Sequence, residues 1–87
     1  MMYRIVYEKR VCKDLDKIPN SDVIKILKVF SGLSINPILS GAKKLSGKSG
    51  FYRVRQGDYR IIYNIKHDER IIKIILVSHR KNVYRNL

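Results

Sequence analysis

From Phe51 onward the apolar residues recur at every second position, and no other feature restricts the possible folds as much. Successive side chains on a strand point to opposite faces, so this period predicts a strand over Phe51–Gln56 and a return strand over residues 59 to 65. Gly57-Asp58 between them is a two-residue hairpin signal. His67-Asp68 turns the chain a second time. Residues 71 to 77 are then apolar except for Lys73, which marks a strand buried on both faces at the sheet centre.

Before Phe51 a helical period runs from Val11 to Leu33, preceded by a short extended segment. Residues 2 to 7 (Met-Tyr-Arg-Ile-Val-Tyr) are rich in β-branched and aromatic side chains and predict a first strand. Val11, Leu15 and Ile18 then recur at helical spacing up to Pro19, which ends a short amphipathic helix. Asn20 or Ser21 is placed to cap a second helix, with Asp22 near its positive end. Val23, Ile26, Leu27, Phe30 and Leu33 form its apolar stripe, and Asn36-Pro37 stops it. Residues 40 to 50 are a Gly/Ser loop carrying Lys43, Lys44 and Lys48. Gly47-Lys48-Ser49 lacks the earlier glycine of a phosphate loop and has neither a predicted strand before it nor a helix after it, so it is not a nucleotide site. The order β-α-α-β-β-β predicts an α+β fold: two N-terminal helices packed on a twisted, mainly antiparallel four-stranded sheet. Residues 1–87 form one domain.

Charge narrows the function. Lys and Arg total 19 against 7 Asp and Glu, a formal net charge of +12. Such an excess repels itself in a compact state and calls for a polyanionic partner. Nucleic acid fits, because neutralising phosphates releases counterions. A membrane partner would need a basic amphipathic helix or an anchor, and no segment approaches the roughly 20 apolar residues of a membrane span. The N-terminus has no signal-peptide core and the lone Cys12 can form neither an internal disulfide nor a cysteine-based zinc site, so a cytoplasmic protein without metal or cofactor is expected. Cys12 itself is read as packing.

Strand parity gathers the arginines. With a two-residue loop at Gly57-Asp58, Gln56 pairs with Tyr59, Arg55 with Arg60, and Val54 with Ile61. Arg53, Arg55 and Arg60 then share one face, while Tyr52, Val54, Ile61 and Tyr63 line the other. An even loop centred on His67-Asp68 would pair Arg60 with Ile75 and add Lys73, Val77 and His79 to the arginine face. The tail that follows, with His79, Arg80, Lys81, Tyr84 and Arg85, would be delivered to the rim of the cluster.

Such a cluster suits RNA cleavage in which the ribose 2′-OH attacks its own 3′-phosphate. Planar guanidinium groups grip phosphate oxygens and neutralise a phosphorane, but they exchange protons poorly. His79 and Tyr84 are the candidates for proton transfer, with Lys48 and Lys81 nearby; Tyr84 has the alternative of stacking on a base. His67 sits in a polar turn and is assigned no role.

The run Tyr52-Arg53-Val54-Arg55-Gln56-Gly57-Asp58-Tyr59-Arg60-Ile61-Ile62-Tyr63, followed by an apolar strand and His79-Arg80-Lys81-Asn82-Val83-Tyr84, resembles the RelE/ParE toxin superfamily over essentially the whole chain. The resemblance implies a RelE-like mRNA interferase that cleaves mRNA in the ribosomal A site. It also implies an acidic antitoxin that wraps the toxin, in a hetero-tetramer. mRNA and the ribosome with its 16S rRNA would be the other partners. By position, Arg60 matches the return-strand arginine, Arg80 or His79 the basic residue after the last strand, and Tyr84 the C-terminal tyrosine. Arg53 and Arg55 match a basic pair that is often lysine, and together with Lys43, Lys44, Lys48, Lys81 and Arg85 they would bind RNA. Arginine at 53 and 55 offers no easily deprotonated amine, and no glutamate occurs between Glu8 and Glu69, which leaves His79 or Tyr84 as the base. The alternative is a ParE-like toxin that inhibits DNA gyrase by binding alone.

If charge leads recognition, the affinity for an acidic antitoxin segment should fall steeply as salt rises. Titrations at increasing ionic strength check this, and an affinity indifferent to salt would remove the electrostatic account.

Overall fold

The computed structural model describes residues 2–38, 41–47 and 49–79. Its elements run β1 (Arg4–Tyr7), α1 (Lys9–Asp16), α2 (Asn20–Ile35), β2 (Lys43–Lys44), β3 (Phe51–Gln56), β4 (Tyr59–Lys66) and β5 (Ile71–His79). The strands form one sheet in the order β1-β5-β4-β3-β2; β1 is parallel to β5 and the other pairs are antiparallel. This is the expected α+β arrangement with one strand more. The additional strand, β2, lies in the segment expected to be loop. Two residues are too few to display a period, and it exists because Lys43 pairs with Arg53 and Lys44 with Tyr52.

Both helices cover one face of the sheet. Val11 of α1 and Ile18 after it are buried beside Ile26, Phe30 and Leu33 of α2, against Val54, Ile61, Tyr63, Ile65, Ile72, Ile74 and Val77 of the sheet. Leu27, expected within the apolar stripe, stands at its flank and is 43% exposed. The cap also differs from expectation. Pro19 occupies it with extended backbone, and its carbonyl accepts the N–H groups of Asp22 and Val23, so neither Asn20 nor Ser21 caps the helix. Asp22 does sit in the first turn, where the helix dipole favours it.

The two hairpins behave differently. Gly57 has φ +60°, the conformation that a two-residue turn of the II′ kind requires of its first residue. The β3–β4 pairing is accordingly the expected one: Gln56 with Tyr59, Arg55 with Arg60, Val54 with Ile61. The second loop has four residues, 67–70, instead of two, closed by a 3.2 Å bond from the Arg70 N–H to the His67 carbonyl. Lys66 therefore pairs with Ile71. A longer even loop alone would preserve parity. However, Tyr63 pairs with Ile74 while Ile62 pairs with Leu76, so Ile75 is an extra residue on β5. A bulge of one residue exchanges the two faces beyond it. Arg60 therefore lies opposite Ser78, not Ile75. Lys73 remains on the arginine face, but Val77 and His79, expected there, stand on the helix side, and Leu76 and Ser78 replace them.

Tyr63 is fully buried under the helices, and its hydroxyl donates a 2.7 Å hydrogen bond to the Pro37 carbonyl, tying the end of α2 to the sheet. Burial, and then charge repulsion from the Tyr52 phenolate, push its pKa up to about 12 from 10.0. The neutral phenol is the form the fold favours. Its contribution is therefore complete below pH ~10 and is lost as pH rises toward ~12, roughly 2–3 kcal/mol in all. Tyr63→Phe should lower neutral-pH stability by about 1 kcal/mol, the Pro37 bond being lost. It should also flatten the decline in that alkaline window, as read by denaturant unfolding across pH.

Candidate nucleic-acid interface

The face turned away from the helices carries the basic residues. Three adjacent strands each contribute: Lys43 from β2, Arg53 and Arg55 from β3, and Arg60 from β4. With Gly41 they line a concavity of about 400 Å³. Arg55 is exposed, whereas Arg53 and Arg60 are half-buried. Ile62 lies directly across from Arg53 on β4, and Leu76 across from Ile62 on β5. Both are buried, 1% and 2% exposed, yet stand outside the helix-side core, so the basic residues border an apolar strip. Guanidinium groups beside low-polarity surface bind anions more strongly than they would in open water.

Acidic groups are sparse here but present. Toward the β1 edge of this face, Lys73 is bridged to Glu8 at 2.8 Å. That carboxylate is engaged by Lys73 and lies away from the arginines. At the opposite end, Arg55 and Arg60 are register partners. Like charges opposed in this way cost up to about 1 kcal/mol. An anion held between them would offset that cost.

The structure gathers some of the candidate residues and separates others. Arg53, Arg55, Arg60 and Lys43 share the concavity. Lys44 pairs with Tyr52 and so turns to the reverse side, where it lines a separate shallow hollow with Leu45, Ser46, Gly47 and Ser49. His79 lies opposite Tyr59, and their rings meet edge to face at 5.5 Å. Tyr59 packs on the helix-side core, so His79 is on that side. Lys48, Arg80, Lys81, Tyr84 and Arg85 lie outside the described residues. His67, given no role, shares a 2.9 Å hydrogen bond with the Tyr3 hydroxyl at the far end of the sheet. Sequence reasoning placed Lys43 in a loop and missed Gly41 altogether. Only the pairing of β2 with β3 brings them to the site.

Known proteins share this architecture. A family profile described as the ParE toxin of the type II toxin–antitoxin system, parDE, matches residues 5–84. RelE1 of Methanocaldococcus jannaschii is 37% identical, over 99% of each chain. The RelE–RelB complex of Pyrococcus horikoshii contains a chain that is 32% identical, with a TM-score of 0.83 over 92% of this chain and 97% of that one. In the RelBE2 toxin–antitoxin complex of Mycobacterium tuberculosis the corresponding values are 28% and 0.80, over 92% and 100%.

Opposed like charges should make this face a local burden on the free protein. Arg55→Gln is expected to stabilise it by a few tenths to about 1 kcal/mol at low salt, with the gain shrinking as salt rises. The same change should diminish the Tm increase produced by inorganic polyphosphate. Thermal unfolding with and without polyphosphate measures both effects.

Proposed function

The chain belongs to the ParE toxin family of type II toxin–antitoxin systems and is RelE-like; from that premise we propose that this toxin is an endoribonuclease that cleaves mRNA in the ribosomal A site. The observation that carries the reading is the convergence of Arg53, Arg55, Arg60 and Lys43 on one concavity of the exposed sheet face. In the proposed reaction the 2′-oxygen attacks its own 3′-phosphate and the 5′-oxygen leaves. The products are a 2′,3′-cyclic phosphate and a free 5′-hydroxyl. One proton is taken from the 2′-OH and one is delivered to the leaving oxygen, without a metal ion.

Arg60 is assigned to the phosphorane, because it stands in the inner strand of the cluster and is half-buried beside the apolar strip. Arg53, Arg55 and Lys43 hold the flanking phosphates, and Lys48, Lys81 and Arg85 supply further backbone contacts; Lys44, turned to the reverse side, is left out of the site. Arg80 adds a second charge at the reacting phosphate. Proton transfer is assigned to Tyr84. His79, turned across the sheet onto Tyr59, is assigned to closing the end of β5. The ribosome aligns the 2′-OH, a task that a shallow basic face performs poorly alone. An acidic antitoxin segment lying over the cluster would block the same surface; the Pyrococcus and Mycobacterium relatives are themselves in complex with RelB antitoxins.

A second reading, inhibition of DNA gyrase by binding, is favoured by the family description, which names parDE. Single-turnover cleavage on programmed ribosomes separates the two. Arg60→Ala should lower the rate by roughly two orders of magnitude or more. Tyr84→Phe should lower it by about 10²–10⁴-fold, the worth of one acid/base group. Arg53→Ala should raise the half-saturating concentration more than it lowers the rate. Wild-type protein that leaves ribosome-bound mRNA intact yet inhibits gyrase would overturn the endoribonuclease reading.

A further inference from the structure

We propose that Asp14 is a positioning residue for the basic site: its carboxylate pins β5 in the bulged register that puts Ser78 opposite Arg60. This role rests on the endoribonuclease reading above. β1 stops pairing with β5 at Tyr7–Ile74, where the Glu8 N–H donates a 2.9 Å bond to the Ile74 carbonyl. Beyond that point, among the described residues, β5 has no strand on its β1 side. The Val77 N–H instead donates a 3.1 Å hydrogen bond to Asp14 Oδ2, from helix α1. Val77 is 3% exposed, so without this acceptor its amide would be left unsatisfied away from water.

The acceptor is itself held in place. Arg10 Nε donates to the same Oδ2 at 3.2 Å and Arg10 Nη2 to Oδ1 at 3.4 Å, and the Asp14 side chain is only 14% exposed. α1 in turn is anchored by the buried Val11. Asp14 thus relates Val77 to the helix layer rather than to a neighbouring strand. The extra residue, Ile75, lies between the last β1 pair and Val77. A one-residue slip there would exchange Leu76 and Ser78 for Val77 and His79 on the basic face. Asp14 blocks that slip, one residue from the position facing Arg60. It touches no substrate; it fixes where Arg60 stands.

The test combines amide hydrogen exchange with single-turnover cleavage on programmed ribosomes for Asp14→Ala, Asp14→Asn and Arg10→Ala. Asp14→Ala should lose protection at the Val77 amide while Ile65 and Ile72 keep theirs. Its cleavage rate should fall about tenfold or more, with the half-saturating concentration within about twofold of wild type, because small misplacements act on the rate. Asp14→Asn keeps the acceptor and should stay near wild type in both readouts, whereas Arg10→Ala, which frees the acceptor from its own anchor, should fall between wild type and Asp14→Ala in both. If Asp14→Ala does not fold, Asp14→Glu, which moves the acceptor by one methylene, carries the same expectation. Normal cleavage by wild type and by Asp14→Ala alike would overturn the positioning role alone, as would equal loss of protection at Val77, Ile65 and Ile72. Absence of cleavage in wild type would overturn the proposed function, and this role with it.

Discussion

Hydrogen bonding between β4 and β5 connects the two halves of this molecule. On one side of that seam Ile61, Tyr63, Ile65, Ile72, Ile74 and Val77 form the floor on which both helices rest. On the other side the same ladder holds Arg60 and Ser78 as partners and sets Ile62 beside Leu76. Because side chains alternate, the apolar packing that fixes one face also fixes what the reverse face presents. The helix layer packs on the opposite face from the basic residues, yet it decides which of them stand together.

This arrangement explains how a chain of net charge +12 keeps four cations around one concavity. Burial beneath the helices supplies the stabilisation, and the exposed face is free to carry unfavourable electrostatics. The pair Arg55–Arg60 is the clearest case, two arginines in direct register. Elsewhere the charges are placed economically: Lys73 meets Glu8, and Arg10 meets Asp14. The basic side chains that line the concavity are concentrated where an anionic partner would be received.

The legibility of the site in the sequence varied with the kind of turn. Gly57-Asp58 admits few conformations, because a two-residue hairpin turn needs positive φ at its first residue and glycine provides it. Register across β3 and β4 could therefore be counted outward from the turn, and the shared face of Arg53, Arg55 and Arg60 followed. His67-Asp68 carries no such restriction. The loop takes in Glu69 and Arg70 as well, with Arg70 at φ 54°, and counting from a shorter turn misplaced the pairs. Lys43 escaped for another reason. A two-residue strand has no periodicity, and its place at the site depends wholly on β3 as a template.

The sequence by itself determined the α+β class, the order of every element except the two-residue β2, the apolar face of β3 and β4 and the clustering of three arginines. Each depends on local rules: a period of 2 or 3.6, a turn dipeptide, a helix stop. Tertiary structure alone decided the bulge at Ile75, the exchange of His79 for Ser78 on the basic face, and the bond from Asp14 to Val77. Where β1 ends, β5 must satisfy its buried N–H from a helix 63 positions earlier in the chain. A requirement set by residues so distant leaves no trace in any local window of sequence. It emerges only when the helix layer and the sheet are packed together.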